Sequence, residues 1–387
     1  MNIIYLACMY DSQTYKQVYV KKNRPIQAAN KFHKLICEGL VANGVKLSTI
    51  CVIPINKKLS RKKFLRVKDR AENGVLYHYF SQMNIPFIKH ITMFIGSFVS
   101  TMASSKDSIL LYDGLTITPS VGAKIAARIK GIKTVAIITD LPDFMQINNN
   151  RIGRRVNDAI IYNNDGYIFL THEMAKRINI KKKPFVVIEG LVDHKMQLIE
   201  KPKNKRAKRI VMYAGGLEKK YGIIELCLGF NDICTENEEL HIYGDGELRD
   251  ELIRMGKRIK NIYYHGVLPV ENIVEKEINA TLLVNPRPAD GEYTKYSFPS
   301  KTMEYMVSGT PVVMCKLAGL PLEYYKYLYF FESGSRTDIS KSLRKILNKS
   351  SDELSHKGIE AREFVLKNKN NIQQAKRVIG LVDRLKV

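Results

Sequence analysis

Short apolar runs alternate with helical patterns along almost the whole chain, and this alternation limits the folds that the chain can adopt. In the first half, the strand-like runs lie at 3–9, 47–53, 76–80, 109–112, 135–138, 167–170 and 185–188. The segments between them are amphipathic. One of them repeats Phe32, Ile36 and Leu40 at helical spacing. Strands and helices in alternation predict a parallel sheet with helices on both faces.

A polar and basic stretch, EKPKNKRAKRIV, interrupts this alternation and predicts a linker. After it, the alternation restarts. The pattern therefore predicts an α/β protein with two Rossmann-like, doubly wound parallel-sheet domains facing each other across a cleft that holds the ligand site. The predicted parts are a first domain at 1–195, a basic linker at 196–209, a second domain at 210–370, and a terminal helix at 371–387. That helix either crosses back to the first domain or is an ordinary terminal helix.

Cysteine usage and hydropathy favour a cytoplasmic protein. The six cysteines are scattered, with no C-x-x-C pair, so we expect buried thiols in a reducing compartment and neither disulfides nor a zinc site. The first residues lack the basic region and cleavage site of a signal peptide. We also expect no membrane-spanning helix, because no run reaches about 18 apolar residues.

The charge of the chain is strongly positive and unevenly placed. The formal net charge is +24, and residues 1–209 contain 36 of the 62 Lys and Arg but only 14 of the 38 Asp and Glu. Such a field attracts phospholipid headgroups, nucleic acid or phosphorylated substrates. The basic segment 57–70 and the apolar segment 84–103 together suggest a surface that rests on an anionic bilayer. The alternative is a solvated loop and a core helix.

Three strand-to-helix turns in the second half carry groups that suit a phosphate. In VMYAGGLEKKYGI, Gly215 and Gly216 permit a tight turn, and Lys219 and Lys220 follow. Glycines let backbone N–H groups approach an anion, and a lysine neutralises its charge. The alternative is a plain turn with solvated lysines.

The next two turns are weaker signals when each is considered alone. HIYGDGELRDEL places Gly244 and Gly246 between a strand and a helix, which is also ordinary turn chemistry. YYHGVLP places His265 before Gly266, where the imidazole could equally belong to the core. No partner lies at the spacing that a metal ligand needs.

The stretch KYSFPSKTMEYMVSGTPVV predicts a helix with a polar first turn. Ser297 is a candidate N-cap for a helix over 299–308. Within it, Ser300, Lys301 and Glu304 share one face. Free N–H groups, a hydroxyl and an ammonium suit a diphosphate, and a carboxylate one turn deeper suits a ribose diol. The alternative is a capped helix with an internal Lys–Glu pair.

These motifs, in this order, resemble those of glycosyltransferase family 4, the glycosyl transferases group 1, which have the GT-B fold. The matching pieces are YAGGLEKKYGI, YGDGEL, YYHGVLP, LLVNPRP and the helical stretch above, and together they cover 209–331. ITDLPDFM, DGYIFLTHEM and VVIEGLVD extend the likeness loosely into the first half. The chain looks most similar to bacterial enzymes that build capsular, exopolysaccharide or O-antigen repeat units.

The resemblance implies transfer of a sugar from a nucleotide-diphosphate donor, with retention at the anomeric carbon and without a metal or other cofactor. It implies donor binding by the second domain, through Gly215, Gly216, Lys219, Lys220, Gly244, Gly246, His265, Gly266, Arg287, Ser297, Ser300, Lys301 and Glu304. The acceptor would be a lipid-linked glycan or an oligosaccharide bound by the first domain. The enzyme would then act in the cytoplasm, on the inner face of the plasma membrane.

The resemblance also implies individual roles. Lys219 falls at the diphosphate-binding loop, and Glu304 matches the second glutamate of the E-x7-E motif, which holds the ribose. Tyr296 stands where the first glutamate is expected. Asp140 matches a position near the reacting sugars, although it could instead cap a helix that begins near 142. Asp140, Lys219 and Lys301 are therefore the predicted catalytic groups.

Other functions compete with this interpretation. Another GT-B enzyme, either an inverting transferase or a sugar-nucleotide epimerase, would share these motifs, as would an inactive member of the family. The positive charge also permits nucleic-acid binding, but no zinc finger, recognition helix or aromatic RNA platform is visible, so no nucleic-acid partner is predicted.

Overall fold

A computed structural model describes residues 1–18, 28–56, 62–141, 151–198 and 208–386. The chain divides into two compact units. The first unit joins Met1–Leu191 to Asn370–Val387, and the second unit is Val192–Lys369. Most of the linker predicted at 196–209 lies outside the described residues, and so does the start of the helix predicted near 142.

The first unit contains one large parallel sheet and two short antiparallel pairs. Its strands are β1 Asn2–Ala7, β2 Lys46–Cys51, β3 Phe64–Leu65, β4 Arg70–Glu72, β5 Val75–Tyr77, β6 Gln82–Met83, β7 Ser108–Asp113, β8 Thr134–Ile138, β9 Gly166–Phe169 and β10 Phe185–Val187. The large sheet has the order β10-β9-β8-β7-β1-β2, and all of its neighbouring strands are parallel. Strands β7 and β8 are buried along their whole length, as expected where helices cover both faces of a sheet.

The helices of the first unit come from both ends of the chain. They are α1 Ser12–Val18, α2 Ala28–Ala42, α3 Ile88–Ala103, α4 Ile117–Lys130, α5 Arg151–Tyr162, α6 His172–Ile178 and, at the C-terminus, α13 Asn371–Lys386. Helix α13 packs on α2 and buries Val378, Leu381 and Val382 in the core of the first unit. The approach is close, because a Cβ on Gly39 would lie 2.1 Å from the carbonyl oxygen of Asn371.

The parallel strand predicted at 76–80 is confirmed only in part, because Tyr79 makes an isolated parallel bridge with Cys51 of β2 but the preceding residues pair otherwise. Strand β5 pairs antiparallel with β4 in a tight hairpin. The turn between them is Asn73-Gly74, and both residues have positive φ, at 50° and 79°. Asn-Gly is the favoured sequence for this hairpin turn, so local turn chemistry pairs the start of the segment with β4.

The second unit is a second parallel α/β sheet. Its strands are β11 Arg209–Ala214, β12 Glu238–Tyr243, β13 Ile262–Tyr264, β14 Leu282–Asn285, β15 Val312–Cys315 and β16 Tyr329–Phe331, in the order β13-β12-β11-β14-β15-β16. Its α-helices are α7 Ile223–Asn231, α8 Arg249–Arg258, α9 Val270–Asn279, α10 Ser300–Ser308, α11 Arg336–Leu347 and α12 Ser351–Asn368. The predicted fold class, two Rossmann-like parallel α/β parts, is confirmed.

The strand order places the predicted motifs side by side. Strands β13, β12, β11 and β14 are consecutive neighbours and parallel, so their carboxyl ends meet at one edge of the sheet. Ligands of doubly wound sheets bind at this edge. Among the described residues, no helix is both long enough and apolar enough to cross a bilayer.

Candidate functional site

Backbone hydrogen bonds join the three glycine turns at this edge. The amide of Gly215 donates to the carbonyl of Tyr243 at 3.0 Å, and the amide of Gly244 donates to the carbonyl of Gly266 at 2.8 Å. The turns after β11, β12 and β13 therefore lie next to one another, as the motif order predicts.

The glycines of these turns are needed for close packing between backbones. Gly244 has a φ of 136°, and a Cβ there would lie 1.8 Å from the carbonyl oxygen of Gly215. A Cβ on Gly246 would lie 2.7 Å from the backbone of Leu217. These distances are well inside van der Waals contact, so no other residue fits without moving a neighbouring turn.

The backbone amide of Lys219 is already bonded. It donates to Oε1 of Glu247 at 2.7 Å, so this carboxylate fixes the loop after β11. The side chains of Lys219 and Lys220 are exposed. Lys219 can therefore contact an anion through its ammonium group but not through its backbone amide.

Arg287, in the loop after β14, is held by two tyrosines. Its guanidinium carbon lies 4.5 Å from the ring centroid of Tyr293 and 6.0 Å from that of Tyr221. The ammonium of Lys220 lies 5.4 Å from the ring centroid of Tyr221 and 5.9 Å from that of Tyr293. Cation–π attraction stabilises this arrangement, which concentrates two positive charges at the carboxyl ends of β11 and β14. We call Tyr221 and Tyr293 the tyrosine platform.

Arg287 has a buried donor without a partner among the described residues. Its guanidinium NH2 donates to Ser297 Oγ at 2.8 Å, but its Nε is buried and has no hydrogen-bond partner among the described residues. A buried donor of this kind is costly unless a ligand completes it. The arrangement suits an anion.

The prediction that Ser297 caps the helix is wrong. Helix α10 begins at Ser300, with Pro299 in the N-cap position and no side-chain cap. The hydroxyl of Ser297 instead donates to the carbonyl of Tyr293 at 3.2 Å and accepts from Arg287. Ser297 therefore supports the arginine, and Pro299 gives the N-terminus of α10 no side-chain cap hydrogen bond. The start of a helix favours an anion.

Lys301 and Glu304 lie on one face of α10, as predicted, and pair with each other. Lys301 Nζ is 2.7 Å from Glu304 Oε2, and the side chains are 37% and 29% exposed. Burial acts to lower the pKa of Lys301, but the carboxylates of Glu304 and Glu277 outweigh it and raise that pKa. Lys301 is therefore an ammonium at neutral pH. A ligand that binds Lys301 and Glu304 through different groups would have to break this ion pair.

A buried tyrosine ties α10 to the loop after β11. Tyr305 Oη accepts from the amide of Ala214 at 2.8 Å and lies 3.1 Å from its carbonyl oxygen. This contact sets where the polar first turn of α10 stands relative to Gly215. The sequence alone does not indicate this contact, because the pattern of apolar residues marks Tyr305 only as a core position.

His265 is exposed and lies at a strand end, so the interpretation as a core histidine is wrong. Its ring stacks on that of Tyr243, with centroids 4.6 Å apart. It lines two cavities of about 350 and 480 Å³. Within the described ranges, no group of three or more His, Cys, Asp or Glu side chains is placed to hold a metal ion.

Asp140 belongs to the first unit, whereas Lys219 and Lys301 belong to the second. It is exposed, two residues after the end of β8. Its predicted role, and the alternative role as a helix cap, both stay predictions.

Comparison with known protein families finds a match within the second unit. Residues 208–349 match the family model described as glycosyl transferases group 1. No curated protein sequence matches the chain.

Solved structures share the fold over the whole length. A sucrose-phosphate synthase from Thermosynechococcus elongatus has 16% sequence identity and a TM-score of 0.72, with 100% of this chain and 99% of that one covered. Anabaena HepE, solved with UDP and glucose, has 12% identity and a TM-score of 0.66, with 99% and 100% covered. The lipopolysaccharide outer core galactosyltransferase WaaB has 13% identity and a TM-score of 0.62, with 99% of both chains covered.

At these identities the structures establish the fold, which is GT-B, and the family model accounts for the motifs of the second unit. Residues 208–349 therefore form a glycosyl transferases group 1 domain, and the chain is a glycosyltransferase with the GT-B fold.

Proposed function

We propose that the enzyme transfers a sugar from a nucleotide-diphosphate donor, bound by the second unit, to a lipid-linked glycan in the synthesis of a bacterial surface polysaccharide. The observation that carries the donor assignment is the cationic cluster beside the uncapped start of α10. Arg287 and Lys220 rest on the tyrosine platform, and the buried Nε of Arg287 lacks a partner among the described residues. HepE, with the same fold, was solved with UDP.

The chemistry of the transfer follows from these groups. As the bond to the anomeric carbon breaks, negative charge grows on the diphosphate oxygens. Fixed donors and cations aimed at that charge stabilise the transition state more than the ground state. Lys219, Lys301, Arg287 and the first-turn amides of α10 are the groups assigned to this role, so we propose a reaction without a metal ion. Glu304 would accept hydrogen bonds from the ribose hydroxyls.

Retention at the anomeric carbon is part of the proposal. The family motif has a glutamate where this chain has Tyr296, which follows the short 3-10 helix Glu292–Lys295. Asp140 is proposed to orient a sugar hydroxyl. Proton NMR of the first-formed product decides the stereochemistry. A product with the anomeric configuration of the donor supports retention, and the opposite configuration replaces it with inversion.

The donor assignment is tested by thermal unfolding with a panel of UDP-, GDP- and CMP-sugars. We expect a UDP- or GDP-sugar to raise the Tm, because a ligand that binds only the folded state stabilises it by mass action. CMP-sugars have no diphosphate and should not raise it. Arg287→Ala should weaken that binding by about tenfold or more, since it removes a charge-assisted hydrogen bond. Arg336→Ala is the matched control, because Arg336 pairs with Asp232 on the surface. Binding of duplex DNA with no response to any sugar nucleotide would contradict the proposal.

We also propose that the first unit contacts an anionic membrane. The contact would be made by a helix that exposes apolar side chains to solvent. Helix α3 buries Met93, Ser97 and Thr101 and exposes a large apolar stripe. The exposed stripe comprises Phe87, Ile88, Ile91, Ile95, Val99 and Met102, and Ile125 and Ile129 of the adjacent α4 are exposed as well. A contiguous exposed apolar patch of this kind marks an interaction site.

Basic residues accompany this apolar stripe, and their charge favours an anionic lipid surface. Lys62, Lys63 and Arg66 are exposed on and around β3, which pairs with β6 just before α3 begins. Cations beside an apolar helix face favour anionic headgroups. Residues 57–61 of the predicted basic segment lie outside the described residues.

The membrane contact is tested by sedimentation with vesicles that contain anionic phospholipid. The wild type should sediment at low salt, and Ile91→Glu/Ile95→Glu should reduce the bound fraction by about tenfold, because it places two charges in the apolar stripe. Ile180→Glu is the control, since Ile180 is an exposed isoleucine of the same unit that does not belong to the apolar stripe. Equal sedimentation of both variants, or none by the wild type at low salt, would refute the contact.

A further inference from the structure

Four side chains of the second unit form a continuous chain of hydrogen bonds that ends at His265. Lys208 Nζ donates to Glu239 Oε1 at 2.8 Å. The other oxygen, Glu239 Oε2, lies 3.1 Å from His241 Nε2. His241 Nδ1 in turn lies 3.2 Å from His265 Nε2.

Strand geometry accounts for this alignment. Glu239 and His241 are alternate residues of β12, so they lie on the same face of the sheet. His265 follows β13, the neighbouring strand, and its amide donates to the carbonyl of Ile242 at 3.0 Å. The side chains of Glu239 and His241 are 17% and 18% exposed, which shields their contacts from competing water.

The carboxylate determines the tautomer of the first imidazole. The hydrogen bond from Lys208 and the contact with His241 lower the pKa of Glu239 against the effect of burial, so Glu239 is a carboxylate at neutral pH. A carboxylate only accepts hydrogen bonds, so His241 Nε2 must carry a proton. In neutral His241, Nδ1 is then an acceptor.

The tautomer of His265 follows from that of His241. Because His241 Nδ1 accepts, His265 Nε2 must donate, and Nδ1 of neutral His265 is left with a lone pair. Burial and the neighbouring His241 and Lys276 lower the pKa of His265, which favours its neutral form. Among the described residues, His265 Nδ1 has no hydrogen-bond partner, and the ring lines both cavities at this sheet edge.

We propose that Glu239 and His241 are positioning residues that fix the tautomer of His265, so that its Nδ1 accepts a hydrogen bond from a ring N–H of the donor base. This inference rests on the proposed nucleotide-sugar function. Uracil and guanine carry such a ring N–H on their pairing edge, whereas cytosine and adenine have a bare ring nitrogen there. Thymine shares the ring N–H of uracil. The chain of hydrogen bonds from Lys208 to His265, which we call the relay, therefore favours a uridine, thymidine or guanosine diphosphate donor.

Glu239→Gln tests the relay with an isosteric change. Lys208 only donates, so it will keep the amide oxygen on its own side and turn the amide NH2 toward His241 Nε2. His241 Nε2 must then accept, His241 Nδ1 must donate, and the proton of His265 must move from Nε2 to Nδ1. A single substitution thus reverses the tautomer of a ring two residues along the relay.

The readout is the ring nitrogen-15 chemical shifts of His265 in the free protein at pH 8, assigned from the signals lost in His265→Asn. Exchange of the protonated and unprotonated shifts in Glu239→Gln supports the relay, and unchanged shifts overturn it. His241→Phe keeps a ring in place but removes both nitrogens. In that background, the shifts of His265 should no longer respond to the change at position 239. A persisting response would mean that Glu239 acts without His241.

Calorimetric titration with UDP, GDP and CDP tests the base contact. We expect UDP or GDP to bind the wild type at least tenfold more tightly than CDP, and Glu239→Gln to lose about tenfold of that affinity. Equal affinity for CDP, or full affinity in Glu239→Gln, would overturn the base contact. If none of the three nucleotides binds, the donor proposal itself fails, while the ring shifts still decide whether the relay exists.

Discussion

Lys301→Ala is expected to lower the turnover number by about 10² to 10³, because it removes a fixed positive charge from the growing charge of the leaving diphosphate. Glu304→Ala is expected to suppress transfer as well, through weaker donor binding. Neither variant should lose much stability, since a half-exposed ion pair within one helix contributes about 0.2–1 kcal/mol. Initial rates over a range of donor concentrations give the turnover number and the KM for the donor, and the midpoint of thermal unfolding gives the stability.

Lys349→Ala is the matched control for this experiment. Lys349 forms a comparable pair with Glu353 at the start of α12, at 3.1 Å, and no motif of the site includes it. We expect its variant to keep wild-type turnover. Wild-type turnover in Lys301→Ala, together with a wild-type KM for the donor in Glu304→Ala, would refute the assignment of α10 to the active site.

Gly244→Ala is expected to destabilise the second unit by about 3 kcal/mol or more. The new Cβ would lie 1.8 Å from the carbonyl oxygen of Gly215, and the φ of 136° is one that L-residues rarely adopt. Overpacking and backbone strain each cost about 1–3 kcal/mol. Because relief of the clash must move the loop after β11, donor binding should fall as well. Urea unfolding followed by circular dichroism measures the loss of stability.

Gly131→Ala separates the clash from the backbone strain. Gly131 ends α4 with a φ of 67°, but a Cβ there would meet no atom within 4 Å. Its variant should cost about 1 kcal/mol, the penalty for the left-handed conformation alone. Equal losses in the two variants would show that close packing of the turns is not what requires Gly244.

The fold was predictable because its strongest determinants are local. Runs such as 135–138 are short, apolar and buried on both faces, and they are separated by amphipathic segments, so the pattern indicates parallel strands directly. The antiparallel pairing at the start of 76–80 comes from turn chemistry. Asn73-Gly74 forms a hairpin, and a short apolar run does not show by itself whether its partner is parallel or antiparallel.

The candidate site was predictable in part, because the residues of each glycine turn, and those of the helix start, are consecutive in the sequence. The tyrosine platform was not, since Tyr221 and Tyr293 come together only when β11 and β14 are neighbours. Ser297 was assigned to the wrong role for a related reason. Its hydroxyl bonds to Tyr293 and Arg287, and competition of this kind between partners is decided by the tertiary structure.

Helix α13 completes the first unit with residues from the far end of the chain. During synthesis, the ribosome must therefore make all of Val192–Lys369 before the segment that covers α2 exists. The portion translated first is the last to acquire its full core, and until then the apolar surface that Val378, Leu381 and Val382 will cover stays open to chaperones or to aggregation. A premature stop codon just before Asn370 would consequently damage the amino-terminal half of the protein more than the half in which the stop lies.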